Sequence, residues 1–206
     1  MMTLLLQDDL SSVFINQLND PDQNQKGFDC LAAMKGKDFS GEIEFNLPDG
    51  YELKIAFKPN ADSEFNIMLL NYKTKRVSYF ISVEKIKRHI ENIQKKPLCH
   101  IRFFRVRTGE DNRVTRDLTE AVIFKYLVHH FNLAIINSKE SLEVRRMYEG
   151  LMFKAIQSKD HLVAFPDTGS ASVQFITDEK QLHSKLQWLW GNQDIDQGHF
   201  GVIAKM

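Results

Sequence analysis

The stretch from Cys99 to Ile136 constrains the fold more tightly than any other part of this chain. Cys99 to Arg107 is dense in aromatic and β-branched residues and reads as a strand. Thr115 to Phe131 carries apolar residues at Leu118, Val122, Tyr126 and Phe131, and Ala121, Ile123, Phe124 and Leu127 widen that stripe. Such spacing predicts a buried helix. Leu133 to Ile136 is a second short apolar strand. Strand, long helix and strand in direct succession require a crossover connection, so helices cover the sheet in this half of the chain.

The pattern continues toward the C-terminus. Ser141 to Ile156 has helical spacing, Leu162 to Phe165 and Val173 to Ile176 are short strands, Asp178 to Trp190 is another helix, and Phe200 to Ala204 is a closing strand. Upstream the chain is richer in strands. Glu42 to Leu47 and Tyr51 to Phe57 are predicted to form a hairpin across Pro48-Asp49-Gly50, because Asp-Gly supplies the positive φ of a tight turn. Phe65 to Leu70 and Val77 to Val83 form a second pair through the polar residues 71–76, and Glu84 to Lys96 fits either a helix or an extended connection. Asp8 to Leu18 is a short helix by its apolar spacing, and Asp20 to Gly27 is a loop by its turn chemistry. The whole is an α+β fold with a mixed α/β sheet: antiparallel N-terminal strands, then strand-helix-strand-helix-strand. With no internal repeat and no linker, a single domain over residues 1–206 is expected, in which 1–41 are a helix and loop extension of a core at 42–206.

A chain of 206 residues, 43% apolar and 26% charged, has the composition of an ordinary globular protein with a real core. Met1 to Leu6 lacks the basic start, longer apolar region and cleavage site of a secretory signal. No apolar run approaches the roughly 18 residues of a membrane span. Cys30 and Cys99 are too few for a disulfide framework or a four-cysteine metal site. The expectation is a cytoplasmic protein without membrane association or bound metal. The zero net charge conceals an asymmetry. Residues 1–64 hold twelve acidic and five basic side chains, and residues 73–116 hold four acidic and thirteen basic ones. That basic section suits an anion such as a nucleotide, a phosphate-bearing cofactor or a nucleic acid; equally, it is a solvated surface offset by the acidic N-terminal part.

One motif adds to this order of elements. The helix from Ser141 ends in Tyr148-Glu-Gly-Leu-Met-Phe153, with Val144 four residues ahead of the tyrosine. With the meander, strand, helix, strand and helix before it, the chain resembles the GNAT superfamily of acetyltransferases over roughly residues 42–206. Members often carry Ala, three residues, then Tyr-Glu-Lys-Leu-Gly-Phe. Val144, Tyr148 and Phe153 stand in the alanine, tyrosine and phenylalanine places, and Ser141 where many members have asparagine. The tail from Leu189-Trp-Gly to Phe200-Gly-Val-Ile-Ala-Lys205 is similar to the last strand of divergent acetyltransferase-like proteins of phages and mobile elements.

The resemblance implies that acetyl-CoA lies along the strand 99–107, with Val106 and Arg107 at its end. Its pyrophosphate would be held at the start of the next helix by Arg113, Val114, Thr115, Arg116, Asp117, Leu118 and Thr119. The family wants glycines there, so that backbone N–H groups close around the anion. In the best register Arg113 fills the first place, while Arg116 and Leu118 stand where glycine and a small residue belong. Thr115, Asp117 and Thr119 are also candidate helix N-caps, and Gly109 lies in a turn upstream. In acyl transfer a base takes a proton from the attacking amine and an acid protonates the leaving thiolate. Tyr148 is the acid that the resemblance implies, and packing with Val144 and Met152 is its structural alternative. For the base, His100, Glu84 or water remain open. The seven histidines show no metal-ligand spacing. Trp188 and Trp190 point to different sides of their helix, one toward the core and the other toward an exposed patch. The expected function is acyl-CoA-dependent N-acyl transfer to an amine substrate. Its alternatives are a non-catalytic protein of the same fold that binds a protein partner as an accessory or inhibitor, and a nucleic-acid-binding module using residues 73–116.

Overall fold

The computed structural model describes residues 8–57, 64–87, 90, 93, 96–136, 142–166, 172–191 and 200–206. The protein is mixed α/β and forms two compact units, Met1–Glu84 with Ile101–Tyr126 and Lys85–His100 with Leu127–Met206.

In the first unit, α1 (Asp8–Gln17) and α2 (Pro21–Ala32) precede the strands β1 (Lys37–Asp38), β2 (Tyr51–Phe57), β3 (Phe65–Asn71) and β4 (Arg76–Ile86). These four strands are antiparallel neighbours in chain order, and Ile101–Arg105 of β5 (Leu98–Arg105) follows β4. Every residue of β3 is buried, so both faces of this sheet are covered, as its near-continuous apolar run demands. On one face Phe28 and Leu31 of α2 join Met68, Leu70, Phe80 and Phe104. On the other, Tyr79 meets Phe103 edge-on, while Phe39 and Phe65 meet Tyr126. Tyr126 lies in the π-helical turn Val122–Leu127 that continues α3 (Gly109–Ala121).

Two sequence expectations are corrected here. Asp20 to Gly27 is not a loop but the first part of α2. Asp20 is its N-cap, with Oδ1 accepting from the backbone N–H groups of Asp22 and Gln23 at 3.0 Å each, and Pro21 occupies the first turn. Residues 42–47 form no strand, since only Ile43 among them is buried and turns within 40–45 fold the segment on itself. β2 pairs instead with β1 and β3. Gly50 does take a positive φ of 88°, and its carbonyl accepts from Tyr72 N at 2.8 Å.

In the second unit the strand order is β5-β6-β9-β7-β8, with β6 Asn132–Ile136, β7 His161–Pro166, β8 Val173–Ile176 and β9 Phe200–Lys205. β5 and β6 are parallel at Leu98–His100, the outcome of the crossover through α3, the π turn and α4 (Val128–His130). The other pairs are antiparallel. One face is covered by Ile90 and Ile93 over Ala134, Ala164, Val202 and Ala204. From α5 (Leu142–Gln157) and α6 (Glu179–Gly191), Leu151, Met152, Ala155, Leu182, Leu186 and Leu189 are buried. A Cβ on Gly201 would collide with the Met152 terminal methyl and lie 3.1 Å from the Phe165 ring, so glycine lets both side chains pack here without shifting.

Candidate functional site

The junction between β5 and α3 differs from the sequence expectation. The backbone N–H of Val106 donates to Ser78 O at 2.8 Å, Thr108 is the N-cap without a side-chain capping bond, and α3 begins at Gly109 with φ of 66°. An added Cβ at Gly109 would meet no atom within 4 Å, so this glycine is required by backbone conformation and faces open space. Residues 113–119 are therefore helix interior, and none of Thr115, Asp117 and Thr119 is an N-cap. The buried Thr115 hydroxyl donates to Val106 O at 3.0 Å, and Thr119 donates to Thr115 O at 2.7 Å. Both side chains tie the helix internally or to the strand end. Leu118 is core, Val114 is half-buried, and Arg113, Arg116 and Asp117 are exposed.

Acidic residues in the first turn of α3 would oppose an anion at its N-terminus. Asp111 is already engaged: its Oδ1 accepts from the Tyr51 hydroxyl in a short hydrogen bond and from Asn71 Nδ2 at 3.1 Å. Burial, and then the Asp111 carboxylate, push the Tyr51 phenol above its ordinary value. The positive groups gather nearby. Burial lowers the Arg105 guanidinium from its ordinary value, the charge of Arg107 lowers it further, Tyr79 opposes this, and Arg116 adds to the lowering. Arg105 Nε is out of contact with solvent and has no hydrogen-bond partner among the described residues. The carboxylate of Asp117 meets Arg116 Nε at 3.3 Å, an exposed pair that leaves most of the guanidinium in water. Arg105, Arg107 and Arg116 thus bring three guanidinium groups to the neighbourhood where β5 gives way to α3.

The acid and base candidates lie apart in the sequence and in different units. Glu84 belongs to the first unit, where its carboxylate meets Arg102 Nη1 at 3.1 Å. His100 and Tyr148 belong to the second. His100 is half-buried on β5 opposite Ala134 of β6, with Nε2 shielded from solvent. Tyr148 is 1% exposed within α5. Its helix instead presents Glu149 and Phe153 to an open groove of about 520 Å³, which His183, Leu186, Gln187, Trp190 and Gly191 of α6 complete. Phe153 and His183 rings lie 5.0 Å apart, and the Arg145 guanidinium sits 5.5 Å from the Trp190 ring centre. Contrary to the sequence expectation, neither tryptophan is the core residue of α6. Leu189 between them is buried, and Trp188 and Trp190 are both half-buried.

Sequence reasoning missed Arg105 and the engaged Asp111. Thr108-Gly109-Glu110-Asp111 carries the signal that could have found the true helix start: a capping residue followed by acidic residues in the first turn. Among the described residues, no three His, Cys, Asp or Glu side chains converge in a way that could hold a metal ion, and no helix is long and apolar enough to cross a membrane. Comparison of the chain with protein-family models, with curated proteins and with solved structures finds no match.

Proposed function

We propose that the protein is an acyl-CoA-dependent N-acyltransferase of GNAT-like fold, with acetyl-CoA as donor and an amine as acceptor. The observation that carries this reading is the arginine group at the β5–α3 junction. Three guanidinium groups and a glycine facing open space suit a pyrophosphate, and their charge outweighs the opposition of Glu110, since Asp111 is already engaged by Tyr51 and Asn71. The phosphate register thus shifts from residues 113–119 to Arg107–Gly109, with Arg116 contributing from the next turns. Further support comes from the strand order in the second unit, where a parallel pair is followed by the last strand inserted between β6 and β7.

In this reading Tyr148 protonates the departing thiolate and His100, or water, takes the amine proton. Glu84 is the weaker base candidate, because Arg102 engages its carboxylate. Turnover assayed as thiol release from acetyl-CoA tests the acid role: Tyr148→Phe should lower kcat and leave cofactor affinity unchanged, and an unchanged kcat refutes it. A second reading, a non-catalytic protein of this fold that binds another protein, is favoured by the burial of Tyr148. It predicts no thiol release with any amine.

A further inference from the structure

In the second unit three elements and the segment ahead of β5 bring basic side chains together. Lys205 at the end of β9 places Nζ 3.4 Å and 3.5 Å from the two ring nitrogens of His129 on α4. His161 opens β7 directly across from Lys205 in the β7–β9 register, and cross-strand partners present their side chains on one face. Lys96, ahead of β5, donates from Nζ to Val128 O at 3.1 Å. Part of this gathering has a local cause, because Val128 O lies in the last turn of a helix, where cations are favoured. That accounts for one ammonium group, held by a carbonyl. It does not account for a second lysine and two imidazoles beside it.

Among the described residues, Lys96, His130 and Lys205 act on His129, and Lys96, His129, Lys205 and the carboxylate of Asp160 act on His161. Among the described residues, no ion pair joins Lys96, Lys205 or His129 to a carboxylate. We propose that Lys96, His129, His161 and Lys205 form a binding site for a dianionic phosphate group, such as that of a phosphomonoester. A compact tetrahedral dianion offers several acceptors to two ammonium groups and two imidazoles at once, and a flat monocarboxylate offers fewer. The inference goes beyond the acyltransferase reading and does not rest on it.

The site carries a proton linkage whose sign is fixed. In the free protein, burial and then the neighbouring cations hold His129 below its ordinary value, and burial comes first for His161 as well. Both imidazoles are therefore neutral near pH 7, and Lys205 donates to His129. A bound dianion favours their charged forms, so binding takes up protons and strengthens as pH falls.

Sulfate is the clean probe, because it stays dianionic across the range in which histidine titrates. Calorimetry with sulfate should give binding about tenfold tighter or more near pH 6 than near pH 8, with proton uptake seen in buffers of different ionisation enthalpy. Lys205→Gln and His129→Asn should each weaken it at least about tenfold, and Lys180→Ala on α6 should leave it unchanged; circular dichroism verifies the fold of each variant. A dinucleotide with a terminal phosphate should displace sulfate, and its unphosphorylated counterpart should not. Sulfate affinity that is the same at both pH values, or the same in Lys205→Gln and His129→Asn, overturns the site. Equal displacement by the unphosphorylated dinucleotide overturns the monoester assignment.

Discussion

Replacing Asn24 by alanine tests how α2 is fastened to the first unit. Asn24 is 4% exposed, and its Nδ2 donates to Leu18 O at 2.9 Å and to Val77 O at 3.1 Å, while its Oδ1 accepts from Val77 N at 2.8 Å. The amide thus acts toward β4 as a strand residue would, exchanging a donor and an acceptor with one backbone position. Each such bond contributes about 1 kcal/mol net, and a buried group left without a partner costs about 1–3 kcal/mol. Val77 is fully buried, so water does not readily replace the lost contacts. Asn24→Ala should therefore cost about 3–5 kcal/mol, a large share of the roughly 5–15 kcal/mol that holds a domain folded. Asn24→Asp keeps the acceptor for Val77 N–H but sets a carboxylate against two carbonyls, so its penalty should ease as pH falls. Urea unfolding followed by far-ultraviolet circular dichroism gives the loss, and hydrogen exchange at the Val77 amide localises it. Tryptophan emission is the wrong probe, because both tryptophans, Trp188 and Trp190, lie in the second unit. A loss below about 1 kcal/mol with unchanged Val77 protection refutes the reasoning.

Other expectations are as direct. Gly201→Ala should cost about 1–3 kcal/mol by overpacking against Met152 and Phe165, and the double variant with Met152→Ala should cost less than the two single losses together; strict additivity in thermal melts contradicts this. Burial pushes the Cys99 thiol up to about 12, so alkylation near pH 8 should modify the half-buried Cys30 and spare Cys99 until the protein unfolds; mass spectrometry showing equal labelling rules this out. The Tyr51 phenol is held above its ordinary value, so it stays protonated as pH rises through the usual tyrosine range, and stability is lost above that range because the unfolded chain ionises first. Asp111→Asn should return the Tyr51 ultraviolet titration toward lower pH; an unmoved titration contradicts the assignment.

Regular elements with strong patterns were legible before the structure. The crossover β5-α3-β6, the pair β3–β4, α5, and the strands near 161–166, 173–176 and 200–205 follow from apolar spacing alone. The errors fall where local chemistry has two outcomes. Asp20-Pro21 begins a turn or caps a helix equally well, and tertiary contacts of Phe28 and Leu31 decide for the helix. Residues 42–47 alternate like a strand, yet only one of their side chains finds a core. The helix start was placed at Thr115 because the apolar stripe begins at Leu118, whereas capping and Gly109 place it two turns earlier. Residues 113–119 therefore lie inside the helix, with Thr115, Leu118 and Thr119 buried, and not at its start. Arg105 is half-buried, and nothing in the strand pattern of Cys99 to Arg107 sets it apart from its neighbours. The cluster of Lys96, His129, His161 and Lys205 joins residues more than a hundred positions apart, which only strand order brings together.

The central claim, that the β5–α3 junction holds the pyrophosphate of an acyl-CoA, is tested most directly by thermal unfolding with and without acetyl-CoA, on the parent protein and on Arg107→Ala. Ligand at 100 times its dissociation constant should stabilise the parent by about 2.7 kcal/mol. The same concentration should stabilise Arg107→Ala markedly less, and added salt should erode the difference. No stabilisation of the parent at millimolar acetyl-CoA, or equal stabilisation of the two proteins, contradicts the account.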